Sequence, residues 1–381
     1  MNSIRLFKIS FTTILAFATS CTTLNPKIKT QGPTSEPNFL IIDSSFAPLE
    51  FNGVIFPPRE CILINENDDP IDPSGPCFDM DAWSKLGKEN KQLLEGFLDA
   101  SAKIGSSNAA YWKGLKNEKN QEALNVQNSF KILTHGTRSA LLASTTGGNQ
   151  LRPLLVRSVT SQAGANLKNS EKCNLKKYSD KEIQQYSRGG LRPHQERLAA
   201  ILSQYPGIRV VNLSLGYKRS WIKEDNPTCN IEIVEREYQV LKLSWRNLIA
   251  RFSDRIFVVA AGNEKADFSV SSEREDDLWA KLSGLPNLLL VGSLNQNRQR
   301  TSFTNFGICK MAWENGDSIP IQYPYPGRAE GYPSQVNGTS SSAPLVAGKL
   351  FVLLNQGENL SLALSSQITQ LPNCYSAKLE Q

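Results

Sequence analysis

Asn337-Gly338-Thr339-Ser340-Ser341-Ser342-Ala343-Pro344-Leu345-Val346-Ala347-Gly348 sets a small polar turn directly against an apolar run that continues through Leu350, Phe351, Val352, Leu353 and Leu354. A helix without a polar face is a buried helix. Thr339 and the serines fall in its first turn, and Pro344 is expected close to its start, where a missing N–H costs little. One serine hydroxyl then sits beside unpaired N–H donors and the partial positive charge of a helix N-terminus. That setting suits attack on a carbonyl and capture of the resulting oxyanion. Ser and Thr are also ordinary helix caps. The choice between cap and nucleophile turns on whether the chain supplies a base, an acid and oxyanion donors.

At 381 residues, with 40% hydrophobic and 20% charged content, the chain is long enough to bury a sizeable core. The formal charge of +6 falls to +4 without Arg5 and Lys8, and carries no nucleic-acid signal. Residues 1–21 join a short basic start to an apolar stretch from Ile9 to Ala18 and read as a secretory signal, too short to span a bilayer. Its end, Ala18-Thr19-Ser20-Cys21, is similar to a bacterial lipoprotein cleavage site, with Cys21 as the lipidated residue; the alternative is ordinary signal-peptidase cleavage. The chain is thus expected in the bacterial envelope, lipid-anchored or periplasmic, or secreted, and a lipid on Cys21 would be its link to a membrane. The remaining cysteines, Cys61, Cys77, Cys173, Cys229, Cys309 and Cys374, are even in number and suggest disulfides; of fifteen pairings, Cys61–Cys77 is the one proximity favours. With no CxxC and only His135 and His194 as histidines, no metal site or cofactor is expected. The acidic run Asp68-Asp69-Pro70-Ile71-Asp72 lacks a calcium-loop pattern and reads as a solvated turn.

Residues 22–38 read as a tether. Phe39-Leu40-Ile41-Ile42 is a strand buried on both faces, ending at Asp43, where parallel sheets build their sites. Residues 46–130 break the strand–helix rhythm, with a Pro/Asp-rich loop, a helix expected near 80–103 and a second, more polar one near 111–127. Further on, His135 opens a helix, Leu154-Leu155-Val156 and Val210-Val211-Asn212-Leu213 are strands, and Val234 to Phe252 steps by three and four as a long amphipathic helix. Ile256 to Ala261, ending at Gly262-Asn263, and Leu288 to Gly292 are further strands. Alternation of this kind predicts an α/β fold, a doubly wound, mostly parallel sheet flanked by helices. His194, at a polar helix start, is expected on the surface.

Asp43, His135, Asn263 and Ser340 then lie at strand ends or helix starts, which converge on one sheet edge. A serine nucleophile needs a base, the base needs an acid to hold its tautomer, and the oxyanion needs donors. The order Asp…His…Ser is that of the subtilisin-type triad. Residues 337–348 resemble the subtilase motif N-G-T-S-M-A-A-P-H-V-A-G, with Ser340 in the nucleophile's place and Ser341 and Ser342 as packing or cap residues. His135-Gly136-Thr137 is similar to the family's H-G-T, Ile41-Ile42-Asp43-Ser44 to its aspartate strand, and Val258 to Asn263 to its oxyanion-asparagine segment. Val211 to Gly216 resembles its substrate-pairing strand, and Thr301 to Gly307 its S-F-S-N-Y-G. Six matches fall in family order between about 39 and 355. The departures are Ser45 for the usual Gly, Arg138 and Leu141 within H-G-T-H-V-A-G, and Leu345 for the His after Pro.

The resemblance implies a peptidase domain over 39–365, with 46–130 as an insertion and 366–381 as a C-terminal tail. It implies an exported serine endopeptidase acting through an acyl-enzyme on polypeptide substrates. Asp43, His135 and Ser340 would form the triad, Asn263 the oxyanion hole, and Ser214, Leu215 and Gly216 the substrate-pairing strand. With only the 17 residues 22–38 between Cys21 and the core, a folded inhibitory propeptide is not expected, and the 46–130 insertion is expected to restrict access to the cleft in its stead. Two other readings share these residues: an inactive subtilase fold used for binding, and an esterase or peptide ligase.

Overall fold

The computed structural model describes residues 36–43, 46, 49–51, 54–56, 62–65, 91, 134–159, 173, 175–325, 328–369 and 374. The leader with Cys21, the Cys61–Cys77 pair, the acidic run at 68–72, Ser45 and, apart from a helical Lys91, the two helices expected within 80–127 lie outside the described residues.

In chain order the elements are β1 (Phe39–Asp43), β2 (Leu49–Phe51), β3 (Val54–Phe56), β4 (Ile62–Asn65), helical residues 134–147 (α1), β5 (Pro153–Val159), α2 (Asp180–Ser187), α3 (Pro193–Gln204) and β6 (Val210–Leu213). Then come α4 (Arg219–Asp225), α5 (Ile231–Arg251), β7 (Ile256–Ala260), α6 (Ser271–Asp276), α7 (Leu278–Leu282), β8 (Leu288–Leu294), β9 (Met311–Asn315), β10 (Ile319–Tyr325), β11 (Arg328–Val336), α8 (Thr339–Asn355) and α9 (Leu360–Gln367). Seven strands form one sheet in the order β4-β5-β1-β6-β7-β8-β9, every neighbouring pair parallel. β2–β3 and β10–β11 are antiparallel hairpins outside it. β4, from the 46–130 stretch read as an insertion, is the edge strand beside β5.

The central strands β1, β6 and β7 are buried throughout and send alternate apolar residues to opposite faces. Leu40, Ile42, Val211, Leu213, Phe257 and Val259 join one core with Trp245, Leu248 and Ile249 of α5. Phe39, Ile41, Val210, Ile256 and Val258 join the other with Ala343, Val346, Ala347 and Leu350 of α8. Each such side chain, fully buried, contributes up to about 1.5–3 kcal/mol. The amphipathic period of α5 is realised, with Val234, Tyr238, Leu241, Trp245, Leu248 and Ile249 all buried, and Asn230 caps its first turn through Glu232 N–H at 3.0 Å. Disulfides Cys173–Cys229 and Cys309–Cys374 pin the approach to α2 and the tail beyond α9. Loop closures of that length in the unfolded chain stabilise by a few kcal/mol, on the order of 3–4 each.

The next sheet strands after β1 lie on its β5 side, whereas β6 is followed by β7 on its far side, so the connections from these two adjacent strands run in opposite directions and open a crevice at their carboxyl ends. Asp43 ends β1, Ser214 follows β6, and Gly262-Asn263 follows β7. α8 packs against β6, β7, β8 and β9, and its first turn meets Ser214 and Gly262.

Two expectations are corrected. Pro344 is the sixth residue of α8, beyond the tolerant first turn. Its missing N–H would have met the Ser340 carbonyl, which instead accepts from Ser214 Oγ at 3.3 Å. His194 is 2% exposed, because the first turn of α3 packs inward: its Nε2 lies 3.1 Å from Ser158 Oγ, its Nδ1 3.1 Å from Gln195 Nε2, and its ring edge-on to Trp245.

Candidate active site

Asp43 is fully buried at the end of β1. His135, on α1, brings its Nδ1 to 2.8 and 2.9 Å from the two Asp43 carboxylate oxygens. A carboxylate only accepts, so Nδ1 carries a proton, and the tautomer this selects leaves Nε2 as the nitrogen that can act as a base. One helical turn after His135, Ser139 Oγ reaches Asp43 Oδ2 at 3.0 Å and the His135 carbonyl at 3.2 Å, fixing the carboxylate from the same helix face.

Of the three adjacent serines, Ser341 and Ser342 are buried and Ser340 is partly exposed. Ser342 Oγ donates to the Glu314 carbonyl at 3.2 Å. Gly338, immediately before α8, has φ 129°, a region other residues rarely enter. A Cβ there would lie 3.3 Å from Ser340 Oγ and 3.6 Å from both amide atoms of Asn263, so these two side chains face one small space across a bare glycine. Asn263 Oδ1 accepts from Thr339 N at 2.9 Å and Thr339 Oγ1 at 3.2 Å, which orients the Nδ2 donors away from that anchor. Thr339 Oγ1 in turn accepts from Gly262 N at 3.1 Å. The Ser340 N–H lies in the first turn of α8, one residue ahead of the first N–H to reach the Gly338 carbonyl, that of Ser341 at 2.9 Å. Among the described residues the structure shows no hydrogen bond from the Ser340 hydroxyl, so the His135–Ser340 contact is not closed in it. Such contacts often tighten only with substrate bound.

The two halves are held together by a close crossing of α1 and α8. Thr146 Oγ1 donates to the Leu345 carbonyl at 2.8 Å, and a Cβ on Gly348 would come within 2.2 Å of Thr146 Oγ1 and 2.4 Å of the Ala143 carbonyl. Residues 214–216 run from β6 past this point. Asn212 Nδ2 donates to Ser214 Oγ at 3.1 Å, and Trp279 Nε1 to the Leu215 carbonyl at 2.7 Å. Behind them lies buried Asp277, whose oxygen caps α7 through Trp279 and Ala280 N–H at 2.9 Å each. Burial pushes its carboxyl up to about 7 against those hydrogen bonds and the nearby Lys218, with Glu264 adding to the rise. Among the described residues no cluster of His, Cys, Asp and Glu could hold a metal ion, and no helix is long and apolar enough to cross a membrane.

A model of the subtilase family matches residues 67–368. The chain belongs to the subtilase family. The match begins after Asp43, so the place of that residue in this subtilase rests on its contact with His135 rather than on the family match. Solved structures similar to it include the protease domain of PatA, studied as a point mutant, 14% identical over 88% of each chain with a TM-score of 0.40. The PatG macrocyclase in complex with peptide is 15% identical over 85% of this chain and 79% of its own, with a TM-score of 0.43. The patellamide maturation protease PatG is 16% identical over 87% and 79%, with a TM-score of 0.41. A search of the curated proteins finds no match.

Sequence reasoning passed over Ser139 and Thr339. Ser139 carried a signal, its i+4 spacing from His135. Thr339 had none, since its role as the anchor of Asn263 depends on where β7 ends against α8.

Proposed function

We propose that this subtilase is an exported serine endopeptidase. His135 takes the Ser340 proton through Nε2 and later returns it to the leaving amine, while Asp43 holds the Nδ1–H tautomer and stabilises the imidazolium. The acyl-enzyme forms on Ser340, and the Asn263 Nδ2 and Ser340 N–H hold the oxyanion; losing one such donor costs about 3 kcal/mol of barrier. Successive residues of an extended segment point their backbone groups to opposite sides. With the Leu215 carbonyl turned to Trp279, those of Ser214 and Gly216 are left for a substrate strand.

The observation that carries this reading is that the partly exposed member of the three adjacent serines, Ser340, faces the Thr339-anchored Asn263 across Gly338, on a helix tied to the one that carries the Asp43-bound His135. The base must be neutral, so activity falls on acidification. Export, with or without a lipid on Cys21, is supported by the leader's composition and by the two disulfides, which persist in oxidising compartments.

The test treats the full chain and its Ser340→Ala variant with a fluorophosphonate probe and with fluorescein-labelled casein. Labelling and casein cleavage that both vanish in the variant support an endopeptidase. Labelling without cleavage would move the reading to an esterase or ligase, and neither activity in folded protein would sink it in favour of a binding module.

A further inference from the structure

We propose that Asn305 is the positioning residue of the oxyanion loop, an inference that rests on the reading of Asn263 as the oxyanion donor. Asn305 is fully buried, and its amide is spent on the loop at 261–266. Nδ2 donates to the Ala261 carbonyl at 2.9 Å and to Glu264 Oε2 at 2.8 Å. Oδ1 accepts from Glu264 N at 3.0 Å and Ala266 N at 2.9 Å, and the Asn305 backbone N–H donates to the Gly262 carbonyl at 3.0 Å. Its partners thus lie on both sides of Asn263 and straddle it. An amide offers two donors and one oxygen with two lone pairs, and all four capacities are used.

The loop needs such a clamp because its backbone is not self-supporting. Gly262 has φ 101° and Lys265 φ 64°, the latter a left-handed conformation that costs a non-glycine residue about 1 kcal/mol or more. A Cβ on Gly262 would sit 2.3 Å from Asn305 Nδ2, so the close approach requires glycine there. Neighbours of Asn305 reinforce the hold: Lys265 N donates to the Phe303 carbonyl and Phe306 N to the Ala266 carbonyl, each at 2.9 Å. Asn263 is therefore located twice, through its side chain by Thr339 and through its backbone by Asn305. Glu264 extends the clamp, because the oxygen bound by Asn305 also meets Lys218 Nζ at 3.1 Å, just past the substrate-pairing segment. A donor stabilises an oxyanion fully only when it is fixed before charge develops, so Asn305 acts on the barrier rather than on binding.

The test uses the full chain with Asn305→Ala and Asn305→Asp, each alone and combined with Asn263→Ala. Asn305→Asp keeps the volume and both accepting bonds and removes the donors to Ala261 and Glu264. Saturable labelling by a fluorophosphonate gives kinact and KI, and thermal unfolding reports folding. The expected result is a loss of kinact of about tenfold or more at a KI changed by less than about twofold, shrinking to under about twofold in the Asn263→Ala background. Equal losses in both backgrounds, or an unchanged kinact in either single variant, would overturn the positioning role while leaving the enzyme reading intact. A folded wild type that takes no label would overturn both.

Discussion

Both carboxylate oxygens of Asp43 lie against a single nitrogen of His135, at 2.8 and 2.9 Å from Nδ1. An amide in place of that carboxylate can offer N–H groups to the ring and stabilise the wrong tautomer. Asn at 43 fits the same volume, so Asp43→Asn should unfold near the wild-type temperature yet lose on the order of a thousandfold or more in phosphonylation rate. A loss under about tenfold would remove Asp43 from the mechanism.

Ser214 and Pro344 are coupled through a carbonyl that neither owns. Pro344 leaves the Ser340 oxygen without its helical donor, and the Ser214 hydroxyl fills in at 3.3 Å. Ser214→Ala should cost about 1–2 kcal/mol in urea unfolding. In a Pro344→Ala background, where an N–H is restored, the same change should cost markedly less. Identical costs in both backgrounds would show that the hydroxyl is not compensating for the proline.

Gly348 permits the contact between α1 and α8. A methyl group there meets Thr146 Oγ1 at 2.2 Å, the Ala143 carbonyl at 2.4 Å and Gly147 N at 2.8 Å, so the helices must part. Gly348→Ala should destabilise by about 1–3 kcal/mol despite alanine's better helix propensity. Because α1 carries His135 and α8 carries Ser340, the labelling rate should fall as well. A stabilised variant would contradict the packing.

Asp277 gives the fold a pH dependence whose sign follows from its burial. Its carboxyl titrates near 7 in the folded chain against 3.8 ordinarily, so the folded state holds the proton more tightly. The associated stability is fully present below the unfolded value and is lost as pH rises through about 7. The change has an upper limit of about 4 kcal/mol. Asp277→Asn keeps an acceptor for the Trp279 and Ala280 N–H groups and does not titrate. The unfolding temperature of the variant minus that of wild type should therefore climb between pH 5 and pH 8. A flat difference would mean that Asp277 does not titrate in this window.

The strands were legible because a run such as Phe39-Leu40-Ile41-Ile42 has no face to give to water, and α5 because Val234 to Ile249 keeps a helical period. Asp43, His135, Asn263 and Ser340 stood out by residue type and order at strand and helix ends. The β10–β11 hairpin did not, since Pro320, Pro324 and Pro333 within it cannot donate to a ladder and break the pattern of a strand. His194 misled because its polar sequence neighbours hide a position that tertiary packing drives inward against Trp245. The clamp by Asn305 was invisible for a similar reason: its motif was recognisable at 301–307, but its partners lie about 40 residues earlier.

Which serine hydroxyl bonds to an electrophile tests the account most directly. Full-length protein labelled with a fluorophosphonate, digested and fragmented by tandem mass spectrometry, should carry one adduct, on Ser340. An adduct on Ser341 or Ser342, or none on folded protein, would contradict the assignment of the nucleophile and the mechanism built on it.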